Sequence, residues 1–139
     1  MRLELTRRTD LALRGLQSLA ASRPVRRKGP HLAAAIGTTP AYIAQVMTPL
    51  VHLGWVVSEP GPTGGYLLAA DLADISLLDL IEAVEGPTVD GRCVLHGRPC
   101  ADVALCPVHA SWVRARDALL AELAATRLAD VGSYAESSR

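Results

Sequence analysis

The sequence lacks the features that mark membrane and secreted proteins. No apolar run among its 139 residues is long enough to cross a membrane, and the opening MRLELTRRTD has no apolar stretch typical of a secretory signal. We therefore expect a cytoplasmic protein, in a compartment where thiols stay reduced. Glycine and proline are too few to indicate disorder, and half of the residues are apolar. One domain with a buried core is expected, or one with an appended helical arm.

Signatures of catalysis are also missing. The glycine-rich GPTGG lies between two β-prone runs rather than at the start of a helix, where a phosphate-binding loop would stand. No serine, histidine and acid are arranged as in a hydrolase. We therefore expect no enzyme. The alternative with redox chemistry is an electron carrier, but that function would not explain the basic N-terminal half.

The net charge is zero, yet the charges are unevenly distributed along the chain. Residues 1–54 contain eight basic and two acidic residues, a net of +6, whereas residues 55–139 contain six basic and twelve acidic residues, a net of −6. Such asymmetry is typical of a protein with a surface for a charged partner. Solvated charges without a partner are the alternative explanation.

The N-terminal half is predicted to form a helix-turn-helix. Apolar residues at three- and four-residue steps predict a helix over residues 4–21. The segments HLAAAIG and AYIAQVMTPLVHL predict two further helices, because Gly37 can end the first and Thr39 with Pro40 can begin the second. The tight turn between them gives the helix-turn-helix layout. Pro49 should bend or divide the third helix.

A small β-wing and two more helices are predicted to follow. The runs WVVS and YLLA flank EPGPTGG, which predicts a hairpin and, after a helix-turn-helix, a winged helix. Ser76 and Asp79 form a capping box for LLDLIEAVE. A long last helix has one apolar seam, suited to a partner helix or to burial within the chain. The expected fold is mainly α with a small β-wing: a winged helix-turn-helix DNA-binding domain over residues 1–75, then a capping helix, a cysteine loop (residues 87–107) and a dimerisation helix within residues 76–139.

All three cysteines lie in one segment, CVLHGRPCADVALCPVH. Cys93, Cys100 and Cys106 are an odd number in a small span, which does not fit a disulfide framework. Reduced thiolates bind zinc and iron–sulfur clusters. Zinc modules usually have tight CxxC pairs, whereas wide spacing lets a loop surround a larger object. The spacing therefore favours a cluster over zinc, and redox-active or structural thiols are the remaining alternative.

A cluster needs a fourth protein ligand, and two residues are candidates. His109 follows the last cysteine at a CxxH spacing, and Asp10 is an isolated acid in the basic first helix. A surface helix position is the alternative for His109. A salt bridge to Arg7 or Arg14 is the alternative for Asp10. An oxygen or nitrogen ligand among three thiolates would be replaceable, which suits a sensor.

The chain resembles the Rrf2 family of bacterial winged-helix transcription regulators from Met1 to about Val131. The segments that carry the resemblance are LTRRTDLALRGL, AYIAQVMTPL, the closing GGY of the wing, ISLLDLIEAVEG, the three-cysteine loop and TRLADV. The resemblance implies a homodimer that binds a roughly palindromic double-stranded operator. In many members the loop before the dimerisation helix carries an iron–sulfur cluster. It thus implies a repressor whose operator affinity responds, through the cluster, to nitric oxide, redox state or iron supply.

Two branches of the family imply different fourth ligands. In the nitric-oxide-sensing branch, whose opening is similar to TDLALR, an aspartate matching Asp10 reaches a [4Fe–4S] cluster from the partner subunit. In the cluster-biogenesis branch, a histidine matching His109 completes a [2Fe–2S] site. The TDLALR match favours [4Fe–4S], with [2Fe–2S] as the second choice and zinc as the alternative metal.

DNA contacts are expected from the third helix, from the basic residues around the first helix, and from the wing. Gln45 can pair with adenine, and Tyr42 can reach a base or a phosphate unless it packs into the core. Where the family wing usually carries an arginine this chain has Pro60, so the wing should bind weakly and basic residues elsewhere should compensate. The expected set is Thr38, Thr39, Tyr42, Gln45, Arg7, Arg8, Arg26, Arg27, Lys28, Gly64 and Gly65.

Overall fold

Five α-helices and one two-stranded sheet form the part of the chain that the computed structural model describes, residues 1–100 and 106–133. The predicted class, mainly α with a small β-wing, is confirmed. Residues 101–105 of the predicted cysteine loop and residues 134–139 of the predicted C-terminal region lie outside the described residues. The elements are α1 Arg7–Ser22, α2 Gly29–Ile36, α3 Pro40–His52, β1 Val56–Glu59, β2 Gly65–Leu68, α4 Leu77–Glu85, α5 His109–Ala125 and a 3-10 turn Leu128–Asp130.

Helix α1 begins three residues later than its apolar pattern predicted. The Thr6 side chain accepts a hydrogen bond from the Thr9 N–H at 3.3 Å, and this N-cap sets the first helical residue at Arg7. Leu5, which the pattern placed inside the helix, is 49% exposed. The apolar face from Leu11 onward is buried, so the pattern was right about the face and wrong about the start.

The helix-turn-helix follows from local signals. Gly37, with φ of 76°, ends α2 in the left-handed conformation that favours glycine, and only residues 37–39 separate α2 from α3. Thr39 caps α3 and Pro40 is its first residue. Helix α3 is one continuous segment to His52, so Pro49 inside it does not divide the helix, and a bend at Pro49, the other expectation, stays a prediction.

The continuity of α3 has a specific support. Pro49 has no N–H, so the carbonyl of Gln45 has no donor four residues later in the helix. The Arg8 guanidinium donates to that carbonyl at 3.0 Å. A side chain from α1 therefore supplies the hydrogen bond that the proline removes.

The wing is an antiparallel hairpin joined to the segment before α2. Val56 pairs with Leu68 at one end of the ladder and Glu59 with Gly65 at the other. Tyr66 also exchanges backbone hydrogen bonds with Arg27, at 2.9 and 2.7 Å. This exchange attaches the segment around Arg27 to the wing.

Gly64 and Gly65 are required by this packing. A Cβ on Gly65 would lie 2.6 Å from the Arg27 carbonyl oxygen, and Gly65 also has φ of 128°. A Cβ on Gly64 would overlap the carbonyl of Glu59. The wing glycines therefore have a structural role, and their expected contact with DNA stays a prediction.

The core joins the winged helix to α4. The predicted capping box is present: the Asp79 N–H donates to the Ser76 hydroxyl at 3.0 Å, and the Ser76 N–H to the Asp79 carboxylate at 2.8 Å. Leu80 of α4 is fully buried with residues of α1 and α3. The division at residue 75 stays a prediction. The largest side chains in the core are Leu11, Leu16, Leu19, Leu32, Ile43, Met47, Leu50, Leu80 and Leu128.

Helix α5 differs from the others because none of its 17 residues is buried. In the described part of the chain, the element against which α5 mainly packs is α4. Leu119, in its predicted apolar seam, is 43% exposed. No helix in the described part of the chain has the length and apolar character that crossing a membrane requires.

Candidate metal centre and DNA interface

The three cysteine sulfurs converge just before α5. The sulfurs of Cys93 and Cys106 are 3.5 Å apart. The sulfur of Cys100 lies within 4.8 Å of each of them. Thiolates on one tetrahedral zinc ion, with Zn–S bonds of about 2.3 Å, stand roughly 3.8 Å apart. The donors are therefore close enough to share a metal, and their thiolate and imidazole chemistry fits zinc or iron.

Two imidazoles border the sulfurs, and the sequence interpretation missed one of them. His109, the first residue of α5, lies within 4.8 Å of the sulfurs of Cys100 and Cys106. His96 lies within the same distance of the sulfurs of Cys93 and Cys100. The missed signal is present in the sequence, because CVLH has the same CxxH spacing as CPVH.

Hydrogen-bonded turns hold Cys93 beside His96 and Cys106 beside His109. The Cys93 N–H donates to the Arg98 carbonyl at 2.8 Å, and the Gly97 N–H to the Cys93 carbonyl at 2.9 Å. Gly97, with φ of 65°, lets the chain reverse there. On the other side, the His109 N–H donates to the Cys106 carbonyl at 3.0 Å. Both CxxH segments are thus closed by backbone bonds.

The neighbouring thiols differ in acidity. The backbone N–H of Leu95, helped by that of His96, lowers the pKa of the Cys93 thiol in spite of its burial. Burial, together with the hydrogen bond to Cys93, raises the pKa of the Cys106 thiol. Cys93 is therefore the more acidic thiol of the pair, and the more readily ionised thiol is the better metal ligand and nucleophile.

Asp10 belongs to neither donor group of the described residues, which contain only cysteines and histidines. Its carboxylate lies 3.2 Å from the Arg14 guanidinium one turn later, so the salt bridge considered as an alternative is present. A role for Asp10 as a ligand reaching across from the partner subunit stays a prediction.

The carboxylate of Glu85 links the end of α4, where the chain enters the cysteine loop, to α1. Glu85, the last residue of α4, accepts hydrogen bonds from the Thr6 N–H at 2.9 Å and from the Thr9 hydroxyl. Thr9 is 1% exposed, and a negative charge beside the N-terminus of a helix is favourable. The segment that leads into the loop is therefore fastened to the first turn of α1.

The start of α3 presents part of the predicted base-reading surface. Thr39 and Gln45 are exposed, whereas Thr38 and Tyr42 are half-buried. The Thr39 hydroxyl accepts the Tyr42 N–H at 3.3 Å, so it serves as the N-cap. Tyr42 packs against the core, as its alternative interpretation held. Of the two exposed residues Thr39 caps the helix, so Gln45 is the stronger candidate for reading a base.

Two of the predicted basic contacts project from α1 onto the helix-turn-helix. Arg7 donates to the Gly37 carbonyl at 3.4 Å, and Arg8 to the Gln45 carbonyl. Both side chains therefore bind the DNA-reading unit from one side. Their contact with phosphate stays a prediction.

The other basic residues border the wing. The Arg26 guanidinium lies 2.8 Å from the Glu59 carboxylate, which offsets the acid of the wing. The Lys28 ammonium donates to the carbonyls of Gly61, at 3.0 Å, and of Pro62, at 2.5 Å. These cations hold the wing tip against the segment before α2, leaving the half-buried Arg27 beside them as a candidate for phosphate.

Comparison with known proteins decides the family. The model of the Rrf2 family, described as an iron-dependent transcriptional regulator, matches residues 5–133. The chain belongs to the Rrf2 family. Members of the Rrf2 family are transcription regulators that bind DNA and are generally dimeric, and their function is not enzymatic.

Relatives of this Rrf2-family chain include the transcription regulators CymR and IscR. It is 34% identical to the HTH-type transcriptional regulator CymR of Bacillus subtilis over 70% of this chain and 66% of that protein. It is 35% identical to the HTH-type transcriptional regulator IscR of Vibrio atlanticus over 55% of this chain and 43% of that protein. The solved structure of B. subtilis CymR, described as the global cysteine regulator, has the same fold, with a TM-score of 0.74 at 24% identity, covering 97% of this chain and 100% of that one.

Proposed function

We propose that this chain is a homodimeric repressor of transcription whose affinity for a roughly palindromic operator is set by an iron–sulfur cluster in its cysteine loop. The observation that carries the proposal is the convergence of three sulfurs and two imidazoles, outside the winged helix, in a member of a DNA-binding family. The signal is nitric oxide, an oxidant or loss of iron.

The DNA half of the proposal uses the exposed face of α3. The exposed amide of Gln45 is suited to an adenine edge in the major groove. Its backbone is held by Arg8, so the side chain projects from a fixed helix. Two such helices in a dimer would read half-sites spaced by whole helical turns.

The metal half of the proposal uses Cys93, Cys100 and Cys106 as thiolates, with an imidazole or Asp10 as the fourth ligand. When bound, an iron–sulfur cluster supplies iron that nitric oxide or oxidants can attack. In a [4Fe–4S] cluster, each protein thiolate would bind a different iron. Binding that cluster therefore requires the sulfurs to move apart from their described positions, whereas a [2Fe–2S] cluster or zinc requires less movement.

A physical connection from the loop to the DNA-reading helix supports the coupling. Glu85 precedes the loop and binds the first turn of α1 through Thr6 and Thr9. Arg8, in that same turn, binds the carbonyl of Gln45 in α3. A displacement of the loop would therefore reach α3 through two sets of hydrogen bonds.

The test is made on protein purified without oxygen. Iron, sulfide and zinc are assayed in the same sample, and binding to DNA from the promoter of its own gene is measured before and after cluster removal. We expect iron and sulfide in the protein and a change in operator affinity of at least about tenfold, or about 1.4 kcal/mol. Gln45→Ala, which should keep the cluster, is the matched control for DNA binding. One zinc per chain without sulfide, or equal affinity in both forms, would refute cluster control.

A second candidate is a thiol-based regulator without a cluster. The 3.5 Å separation of the Cys93 and Cys106 sulfurs supports it, as does the pKa of the Cys93 thiol, which backbone hydrogen bonds lower from its ordinary value. Hydrogen peroxide would oxidise the two thiols to a disulfide and would itself be reduced to two waters. Mass spectrometry of peroxide-treated metal-free protein should then find this disulfide, with Cys100→Ser as the control that retains it. Its absence would exclude this candidate.

A further inference from the structure

The cysteine centre has an internal repeat in its donors. Each of Cys93 and Cys106 is followed three residues later by a histidine, and Cys100 lies between the two CxxH segments. Each segment forms its own three-donor group, and both groups share Cys100. The loop therefore offers five donors, where a tetrahedral metal ion takes four.

We infer that His96 is a metal ligand equivalent to His109, so that an ion held by the three thiolates takes its fourth ligand from either imidazole. This inference rests on the metal centre in the proposed function. The geometry supports it on both sides: His96 is within 4.8 Å of two of the sulfurs, as His109 is of two.

The two imidazoles differ in their surroundings, which gives the choice between them a consequence. His96 is exposed in a turn, whereas His109 is half-buried and begins α5. An ion bound through His109 is tied directly to α5, whereas an ion bound through His96 reaches that helix only through Cys106, which precedes it. Exchange of one imidazole for the other would therefore change the attachment of α5 without release of the metal.

Cobalt(II) is the probe, because its thiolate charge-transfer bands and ligand-field bands report the number of sulfur ligands and the tetrahedral geometry. The full-length reduced protein is titrated with Co²⁺ without oxygen, as wild type, His96→Ala, His109→Ala and the double variant. His31→Ala, at an exposed position of α2, is the matched control. Far-UV circular dichroism checks that each variant is folded.

Interchangeable ligands give a non-additive result. Each single variant should keep the three-thiolate tetrahedral spectrum and lose about twofold in affinity, because one of two equivalent choices remains. The double variant should lose about a hundredfold or more. In the His109→Ala background, His96→Cys should keep binding tight and change the spectrum from three thiolates to four.

Three outcomes would overturn the inference. If His109→Ala alone lowers the affinity for Co²⁺ as much as the double variant does, His96 is not a ligand. The proposed metal centre at the three cysteines is unaffected by that result. If His96→Ala alone does so, the two imidazoles are not equivalent. If the wild type binds no Co²⁺ yet still binds its promoter, the loop holds no single tetrahedral ion and this inference fails, while the DNA-binding function remains.

Discussion

The bond between Arg8 and the Gln45 carbonyl provides a sharp test of how α3 stays continuous. The carbonyl needs a donor because residue 49 is proline and has no N–H. Arg8→Met keeps most of the apolar stem and removes the donor. A hydrogen bond of this kind is worth about 1 kcal/mol in a half-exposed setting, so the variant should lose that much free energy of unfolding.

The same loss should disappear when the helix can supply its own donor. In Pro49→Ala the N–H of residue 49 can donate to the Gln45 carbonyl, and the helix should gain about 1 kcal/mol or more. Arg8→Met should then cost only about 0.3 kcal/mol in the Pro49→Ala background. The cycle predicts a coupling energy of about 0.7 kcal/mol between the two positions.

Urea unfolding followed by circular dichroism, at one fixed protein concentration, measures all four proteins. Arg2→Met, which removes a positive charge from an exposed side chain, controls for charge alone. An equal cost of Arg8→Met in both backgrounds would show that Arg8 stabilises the fold by some means other than replacing the missing N–H.

The remaining predictions concern the linkage to α1, the wing and DNA reading. Burial raises the pKa of Glu85, but hydrogen bonds from Thr9 and Thr6 outweigh it and lower the pKa below its ordinary 4.5. The Glu85 carboxylate should therefore stabilise the fold fully above pH 4.5, and this stability should be lost as the pH falls through the lowered pKa. Glu85→Gln should remove that pH-dependent loss of stability from the acid-unfolding curve. Gly65→Ala should destabilise the protein by at least about 1 kcal/mol more than Gly61→Ala, because both have positive φ but only Gly65 meets the Arg27 backbone; equal thermal shifts would contradict this. Gln45→Ala should cost about 1–3 kcal/mol of discrimination at one base pair per half-site, whereas Arg27→Ala should weaken all sequences alike and reduce the salt slope by about 1. Fluorescence anisotropy on matched and mismatched duplexes, at several salt concentrations, separates the two.

Features fixed by neighbouring residues could be predicted from the sequence. Gly37, Thr39 and the Ser76 capping box each act within three or four residues of their partner, so the helix boundaries they set were correctly anticipated. The start of α1 was the exception. Its apolar pattern continues through Leu5, and the cap at Thr6 interrupts the helix without interrupting the pattern.

Features that depend on distant contacts could not be predicted. Nothing in the sequence pairs Gly65 with Arg27, or the missing N–H of Pro49 with Arg8, because these partners come together only after folding. For the same reason, the sequence could not show that Arg26 and Lys28 bind the wing. His96 is a different case: its CxxH spacing is visible in the sequence, but only the same spacing after Cys106, which ends at His109, was used to predict a ligand.

Helix α5 has a consequence for how the protein behaves on dilution. A 17-residue helix with no buried residue gains little stability from packing within its own chain, and packing is the main source of helix stability in proteins. If its exposed seam packs against a second copy, folding of this helix and association become one equilibrium. The midpoint of thermal unfolding should then rise with total protein concentration. The amount of the regulator in a cell would therefore set how much of it is fully ordered, independently of any signal at the cysteine loop.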